Sequence, residues 1–324
     1  MPAVVQVRGL RFAYGEAFEL SIDDVTIGPG VFGLLGPNGA GKSTWMSLMC
    51  GLLRAGSGTV HVGGQVMSPD ASDLRARVAL MPQDFGLFPG YDVAGCLTYY
   101  GTLRGMAASE VKQRLDELSR LLDLNALFAI RVEHLSGGQR QKVGLAMAML
   151  GQPEFLLVDE PTAGLDPIER DRVLAVLHDY GERATVVLST HIVEDVEACC
   201  ERAAIVMGGR VVASGNIDAL RTRLAGRLWM RPERPSPSTG ERARDTNARP
   251  RLLRAGRFWE WAVSDASPGA EWHPLEADLR ATFLHLLHVE NGAKDALALA
   301  FDAPGMAAHR SAEDEAVNTV EGDG

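Results

Sequence analysis

The sequence predicts an α/β fold: a mostly parallel sheet covered by helices, with an antiparallel pair at one edge. Three observations predict it. Through the first two thirds of the chain, short apolar runs alternate with helical patterns, the order that parallel strands joined by helical crossovers require. The apolar run at residues 31–35 leads into a Gly-rich loop and then a helical pattern over 42–53. The run at 155–158 is apolar throughout, as a strand covered on both faces must be, and it ends in Asp159 and Glu160. With 324 residues the chain has room for about two domains.

Taken in order, residues 4–12 and 18–27 alternate partially around Gly15 and read as the antiparallel edge pair. Strands follow at 31–35, 59–62 and 78–81. Residues 111–124 form an amphipathic surface helix, with Leu115, Leu118, Leu121 and Leu122 on its apolar stripe and Lys112, Arg114, Asp116 and Arg120 off it. Helices at 139–150 and 167–180 bracket the strand at 155–159, and 184–190 and 203–207 complete the sheet. The first domain therefore spans 1–220. From 221 to 257 the chain is Arg-rich, and 231–250 adds Pro, Ser, Thr and Gly with almost no apolar residues, as a linker does. A strand at 257–264 and a helix at 274–288, with Pro274 in its first turn and Leu275, Leu279, Phe283 and Leu286 at helical spacing, make 221–302 a linker plus a small α/β appendage. Residues 303–324 are polar and acidic and are expected to be disordered.

Composition excludes several classes. Hydrophobic residues at 46% and charged residues at 23% are globular values and exclude wholesale disorder. A net charge of −10 speaks against a nucleic-acid coat, which needs clustered cations, so no nucleic-acid partner is expected. Cys50, Cys96, Cys199 and Cys200 show neither CxxC spacing nor a disulfide framework, which fits a reducing compartment. No window approaches the ~20 apolar residues of a membrane span, and the N-terminus lacks the basic and apolar regions of a signal peptide. A cytoplasmic protein is expected.

Residues Gly36-Pro-Asn38-Gly39-Ala40-Gly41-Lys42-Ser43-Thr44 satisfy GxxxxGK[ST] between a strand and a helix. Glycines at 36, 39 and 41 let backbone N–H groups turn inward around phosphate oxygens, and the following helix adds its positive end. Lys42 would hold the β- and γ-phosphates, and Ser43 would offer a hydroxyl to Mg²⁺. Asp159, at the carboxyl end of its strand, suits the same Mg²⁺ shell. Glu160 points to the other side and could polarise a water for in-line attack. Leu135-Ser136-Gly137-Gly138-Gln139 makes a capped helix start with accessible N–H groups.

LSGGQ, lying after a phosphate loop and shortly before a strand ending in DEP, resembles the signature motif of ATP-binding cassette (ABC) ATPases. The other cassette motifs follow in family order over roughly the first 215 residues. Gln83 in MPQD resembles the Q-loop and would join Ser43 and Asp159 around Mg²⁺. Ala163-Gly-Leu-Asp166 resembles the D-loop, and His191 in STHI the switch histidine. Tyr14 stands where the family stacks an aromatic on adenine, with Phe12 its neighbouring alternative. The resemblance implies a P-loop NTPase cassette with a RecA-like core, an antiparallel β subdomain and a helical signature subdomain.

It also implies ATP and Mg²⁺ as ligands, with catalysis by Glu160, His191 and Gln83. Two cassettes, as a homo- or heterodimer, would sandwich ATP between the phosphate loop of one and Ser136 to Gln139 and Asp166 of the other. A transmembrane permease would hold the cassette at the inner face of the cell membrane. The segment 84–103, with Phe85, Leu87, Phe88, Tyr91, Tyr99 and Tyr100, fits the groove that receives a permease helix, although Gly95 stands where many such cassettes carry Glu. The run 189–215 and the appendage resemble the ATPase subunits of bacterial exporters with a separate permease; an importer ATPase or an ABC ATPase not tied to transport are the alternatives.

Overall fold

A computed structural model describes residues 2–15, 17–232, 251–254 and 257–290. The linker residues 233–250 and the acidic tail at 303–324 lie outside the described residues. Two compact units are distinguished: one runs to Gly226 and includes Glu276–Glu290, and the other contains Arg227–Leu275.

In the first unit the chain forms β1 (Val5–Tyr14), β2 (Phe18–Ile22), β3 (Val25–Ile27), β4 (Gly30–Leu35), α1 (Lys42–Met49), β5 (Ser57–Val62), β6 (Gln65–Val66), α2 (Ser72–Ala76) and β7 (Val78–Met81). It continues with α3 (Val93–Leu103), α4 (Ala108–Leu122), α5 (Gly137–Met149), β8 (Phe155–Asp159), α6 (Pro167–Gly181) and β9 (Thr185–Thr190). It then forms α7 (Val193–Cys199), β10 (Arg202–Met207), β11 (Arg210–Asn216) and α8 (Ile217–Arg221).

One 11-stranded sheet has the order β6-β5-β1-β2-β11-β10-β4-β9-β8-β7, with β3 on β1. Its parallel half is β10-β4-β9-β8-β7. The residues of β8 are wholly apolar up to Asp159 and all are buried, as strands flanked on both sides and covered on both faces require. Every βα connection in this half places its loop at the carboxyl ends of the strands, where an open α/β sheet collects ligand-binding residues.

Three expectations are corrected. The first two strands are not an edge pair: β1 lies between β5 and β2, and β2 also meets β11. The run at 18–27 divides at Asp23 and Asp24 into β2 and β3, both antiparallel to β1, with Leu10 opposite Ile22 and Val5 opposite Ile27. Two adjacent exposed aspartates end one strand before the next begins. The third concerns Arg114, which is buried rather than on the solvent face. Its guanidinium donates to the carbonyls of Met149 (3.0 Å) and Leu150 (3.3 Å) and pairs with Glu117. The periodicity of a helix cannot distinguish a solvated arginine from one that caps the carboxyl end of a neighbouring helix, where cations are stabilised.

In the second unit β12 (Leu228–Pro232), β13 (Arg251–Arg254), β14 (Arg257–Val263) and β15 (His273–Pro274) form a sheet of order β13-β14-β12-β15. Trp261 and Trp272 are buried in it, the Trp229 indole donates to the Ser264 carbonyl (3.0 Å), and the Arg231 guanidinium lies 4.8 Å over the Trp272 ring. The helix expected at 274–288 is α9 (Leu279–Glu290). Pro274 belongs to β15, paired with Trp229, and Asp278 starts the helix instead, its carboxylate accepting from the Ala281 amide at 2.6 Å. This helix groups with the first unit. There Leu279, Phe283 and Leu287 are buried, and the Thr282 hydroxyl donates to the Leu220 carbonyl (3.0 Å).

Candidate active site

The loop between β4 and α1 is shaped by close backbone approaches. A Cβ on Gly36 would lie 2.2 Å from the Val206 carbonyl oxygen, so no side chain fits there. Gly41 has φ +102° and caps α1, and a Cβ there would meet Phe18 and Leu20 within 2.9 Å. Lys42 closes the loop from inside: its Nζ donates to the carbonyls of Gly36 (2.7 Å) and Pro37 (3.1 Å). Burial pushes its pKa down, against the nearby Glu160 and Asp159 carboxylates, which push it up.

The end of β8 delivers Asp159 and Glu160 to opposite tasks. Asp159 is buried and accepts a 2.5 Å hydrogen bond from the Ser43 hydroxyl at the start of α1. At Glu160 the backbone turns sharply, with φ +51°, and its amide donates to the Ser189 carbonyl on β9 (2.9 Å). A buried carboxylate held in left-handed backbone is the kind of strain that clusters at functional sites. Its side chain meets His191 Nδ1 at 2.9 Å and Lys42 Nζ at 3.8 Å.

These residues enclose a cavity of about 490 Å³ lined by Tyr14, Phe18, Asn38, Gly39, Ala40, Gly41, Lys42, Ser43, Thr44, Gln83, Asp159 and Glu160. All but Phe18 were expected from the sequence. Gly36 does not line the cavity but meets it through Lys42, whose Nζ donates to the Gly36 carbonyl, and His191 reaches it through Glu160. The two hydroxylic and carboxylate oxygens of Ser43 and Asp159, with Gln83 on the same wall, are the hard donors that Mg²⁺ takes alongside phosphate oxygens. A glycine-rich loop, one lysine, hard oxygen donors and a carboxylate beside an imidazole can together hold a nucleotide polyphosphate and orient a water toward it.

Ser136, Gly137, Gly138, Gln139 and Asp166 do not line this cavity. Ser136 caps α5: its hydroxyl accepts from the Gln139 amide (3.2 Å), while the Gln139 side chain accepts from the Ser136 amide (3.0 Å). A Cβ on Gly138 would touch Leu165 at 3.0 Å, so the signature residues sit beside the segment that carries Asp166. Asp166 caps α6, accepting from the Glu169 amide at 3.0 Å.

Sequence reasoning missed three participants. Phe18 shares the cavity wall with Tyr14, their ring centroids 6.4 Å apart; as an ordinary strand aromatic it carried no signal of its own. Gln141 reaches the Glu160 carbonyl from α5 at 3.4 Å. Arg140, directly after LSGGQ, donates to the Phe85 carbonyl at 2.6 Å and stacks on its ring at 5.4 Å. The Phe85 ring lies where a Cβ on Gly144 would be, 2.2 Å away, so the loop after Gln83 is fastened to the signature helix. Among the other aromatics of that segment, Tyr91 stacks on Tyr99 and both stay largely exposed. Gly95 is explained by its cap: its amide donates to Asp92 Oδ1 at 2.7 Å, and a Cβ would crowd that same oxygen at 2.9 Å.

The hydrogen bond to Glu160 raises the His191 pKa above the ordinary value of 6.5. Because the folded value is the higher one, the stabilisation is complete below the ordinary histidine range and is lost as pH rises through the raised value. In nucleotide-free protein, NMR titration of His191 is expected to give a midpoint above 6.5, and Glu160→Gln is expected to move it down. A midpoint unchanged by Glu160→Gln would show that the pair does not form.

The sequence profile described as "ABC transporter" matches residues 23–163. The linearmycin resistance ATP-binding protein LnrL of Bacillus subtilis is 32% identical over 225 residues, covering 69% of this chain and 72% of the relative. A Nod factor export ATP-binding protein I of Cupriavidus metallidurans is 35% identical, covering 66% and 72%. A daunorubicin resistance ATP-binding protein, DrrA3 of Streptomyces coeruleorubidus, is 34% identical over 224 residues. A solved structure described as the ATP-binding subunit of an ABC transporter superposes with a TM-score of 0.61 at 29% identity, over 68% of this chain and 92% of that one. The phosphate loop, the carboxylates at the end of β8 and the capped signature helix thus stand in the same chain as an extended match to proteins named for ATP binding, and the chain belongs to the ABC transporter family as one of its ATP-hydrolysing cassettes.

Proposed function

We propose that this chain is the ATP-hydrolysing subunit of an ABC exporter and drives a separate transmembrane permease. The observation that carries the reading is the single cavity that gathers Lys42, Ser43, Gln83, Asp159 and Glu160 while leaving Ser136 to Gln139 and Asp166 outside it. A site built this way is half of a composite. The signature helix start and Asp166 would close the nucleotide of a second cassette, and that cassette would close this one. Within each site Lys42 and the loop hold the β- and γ-phosphates, Tyr14 and Phe18 face the base, and Ser43, Gln83 and Asp159 would hold Mg²⁺. The bound ion would neutralise charge on the phosphate oxygens. Glu160 takes the proton of the attacking water, and His191 fixes the Glu160 carboxylate and reaches the γ-phosphate. Closure of the pair with ATP and reopening after hydrolysis follow from contacts that exist only while the γ-phosphate is present.

Export rather than import is supported by the relatives, whose names describe resistance and export. Among the described residues no helix is long and apolar enough to cross a membrane, so attachment at the inner membrane face falls to a permease. The exposed Tyr91 and Tyr99 beside the loop after Gln83 offer it an apolar contact. When the chain is expressed with the transmembrane permease it serves, it is expected to sediment with membranes, and without that permease to stay in the supernatant. Equal distribution in both preparations would overturn the coupling.

A further inference from the structure

Asp195 lies on α7, has been given no role above, and its side chain is fully buried. A carboxylate in that position is sustainable only when its oxygens are hydrogen-bonded and its charge is paired. Both conditions are met by residues that flank the hydrolytic pair. Thr162 Oγ1, two residues after Glu160, donates to Asp195 Oδ2 at 2.6 Å. Thr190 Oγ1, one residue before His191, approaches the same oxygen at 3.3 Å and itself accepts from the Ile192 amide at 3.0 Å. Arg170, on the helix that Asp166 caps, sets its Nε 2.5 Å from Asp195 Oδ1. Thr162 and Thr190 are buried as well.

We propose that Asp195 is a positioning residue for hydrolysis: one buried carboxylate ties the turn carrying Glu160, the segment carrying His191 and the helix begun by Asp166 into a fixed arrangement. The inference rests on the assignment of Glu160 as the base. Glu160 is held in left-handed backbone just after β8, and His191 directly follows the last residue of β9, two positions before α7 begins, so neither is fixed by regular secondary structure on both sides. The backbone of each is instead anchored through a threonine hydroxyl to the same acceptor. The phosphate loop meets this network through the backbone, the Gly36 amide donating to the Thr190 carbonyl at 3.2 Å, a bond that removal of a hydroxyl leaves in place, so the consequence is specific: loss of the anchor should misplace the base and its partner while nucleotide binding survives.

The test is steady-state ATP hydrolysis by the purified full chain carrying Thr162→Val or Thr190→Val, which remove a hydroxyl at nearly constant shape, beside Thr162→Ser and Thr190→Ser, which keep it. The valine variants are expected to lose about 10-fold in kcat with KM for ATP within about twofold, and the serine variants to retain about half of wild-type kcat or more. Asp195→Asn should follow the valine variants; if it fails to fold, the threonine series still decides. Wild-type kcat in both valine variants, with Glu160→Gln inactive, overturns the positioning role and leaves the base assignment standing. Equal losses in the serine and valine variants, or a rise in KM as large as the fall in kcat, overturn it too by showing a merely structural effect. An active Glu160→Gln overturns the base assignment and this inference together.

Discussion

Glu160→Gln is expected to lower ATP turnover of the purified chain by about 100-fold or more while ATP still binds, since a positioned general base contributes about 10²–10⁴-fold. The amide keeps the shape of a side chain that is almost completely buried, so the cavity walls need not move. What it loses is the ability to take a proton, together with the charge that faces His191 Nδ1 at 2.9 Å and Lys42 Nζ at 3.8 Å. Because the proposed closure depends on the γ-phosphate, the variant should accumulate as an ATP-bound pair, visible as a doubled mass by light scattering with ATP and absent with ADP. Turnover equal to wild type would remove Glu160 from the reaction, and the carboxylate would then be read as a partner of Lys42 and His191 alone.

The second large effect is on binding. Lys42→Met is expected to weaken ATP affinity by about 100-fold or more, the scale of truncating one partner in a buried hydrogen-bonded charge pair. The lysine does two things that methionine cannot. Its Nζ ties the carbonyls of Gly36 and Pro37, which holds the loop in its inward curl, and its charge faces the cavity where the phosphates go. The two variants separate cleanly by thermal unfolding. Ligand binding stabilises by RT ln(1 + [L]/Kd), so millimolar ATP should raise the Tm of wild type and of Glu160→Gln, whereas Lys42→Met should show almost no rise. An unchanged ATP-dependent shift in Lys42→Met would sink the placement of the phosphates against this loop.

Much of the cavity was legible because the residues that line it lie in short, contiguous motifs whose spacing is dictated by local backbone geometry. GxxxxGKS needs glycine where Val206 and Phe18 crowd the chain, and lysine where the first helical turn returns toward the loop. The apolar run of β8 up to Asp159, with Glu160 next, pointed to a buried strand whose carboxylates end at a site once the neighbouring motifs were read with it. Phe18 and Gln141 were not legible, since a strand phenylalanine and a helical glutamine have many structural uses. Arg114 misled for a related reason: helical periodicity reports the direction of a side chain, whereas the carbonyls of Met149 and Leu150 that receive it come from another helix.

Domain anatomy shows the same division. The composition shift after residue 220 marked where the cassette pattern stops, and the first unit in fact continues to Gly226. Yet α9, far along the chain and patterned like any amphipathic helix, groups with that first unit through Leu279, Thr282, Phe283 and Leu287. Burial of an apolar face is non-directional, so sequence can announce the face but not the surface it covers.

By itself the sequence determined the α/β class, the phosphate loop, the two carboxylates and the signature helix start, because each is a local rule about backbone conformation, capping or strand burial. Only the tertiary structure decided that β1 and β2 lie inside the sheet rather than at its edge, that Arg114 is buried against the end of α5, and that Asp195 joins the segments around Glu160 and His191. Those are pairings between residues distant in sequence, 33 positions apart for Thr162 and Asp195 and 57 for Val5 and Val62, and they are set by which strands and helices pack together, a choice made by the whole core at once.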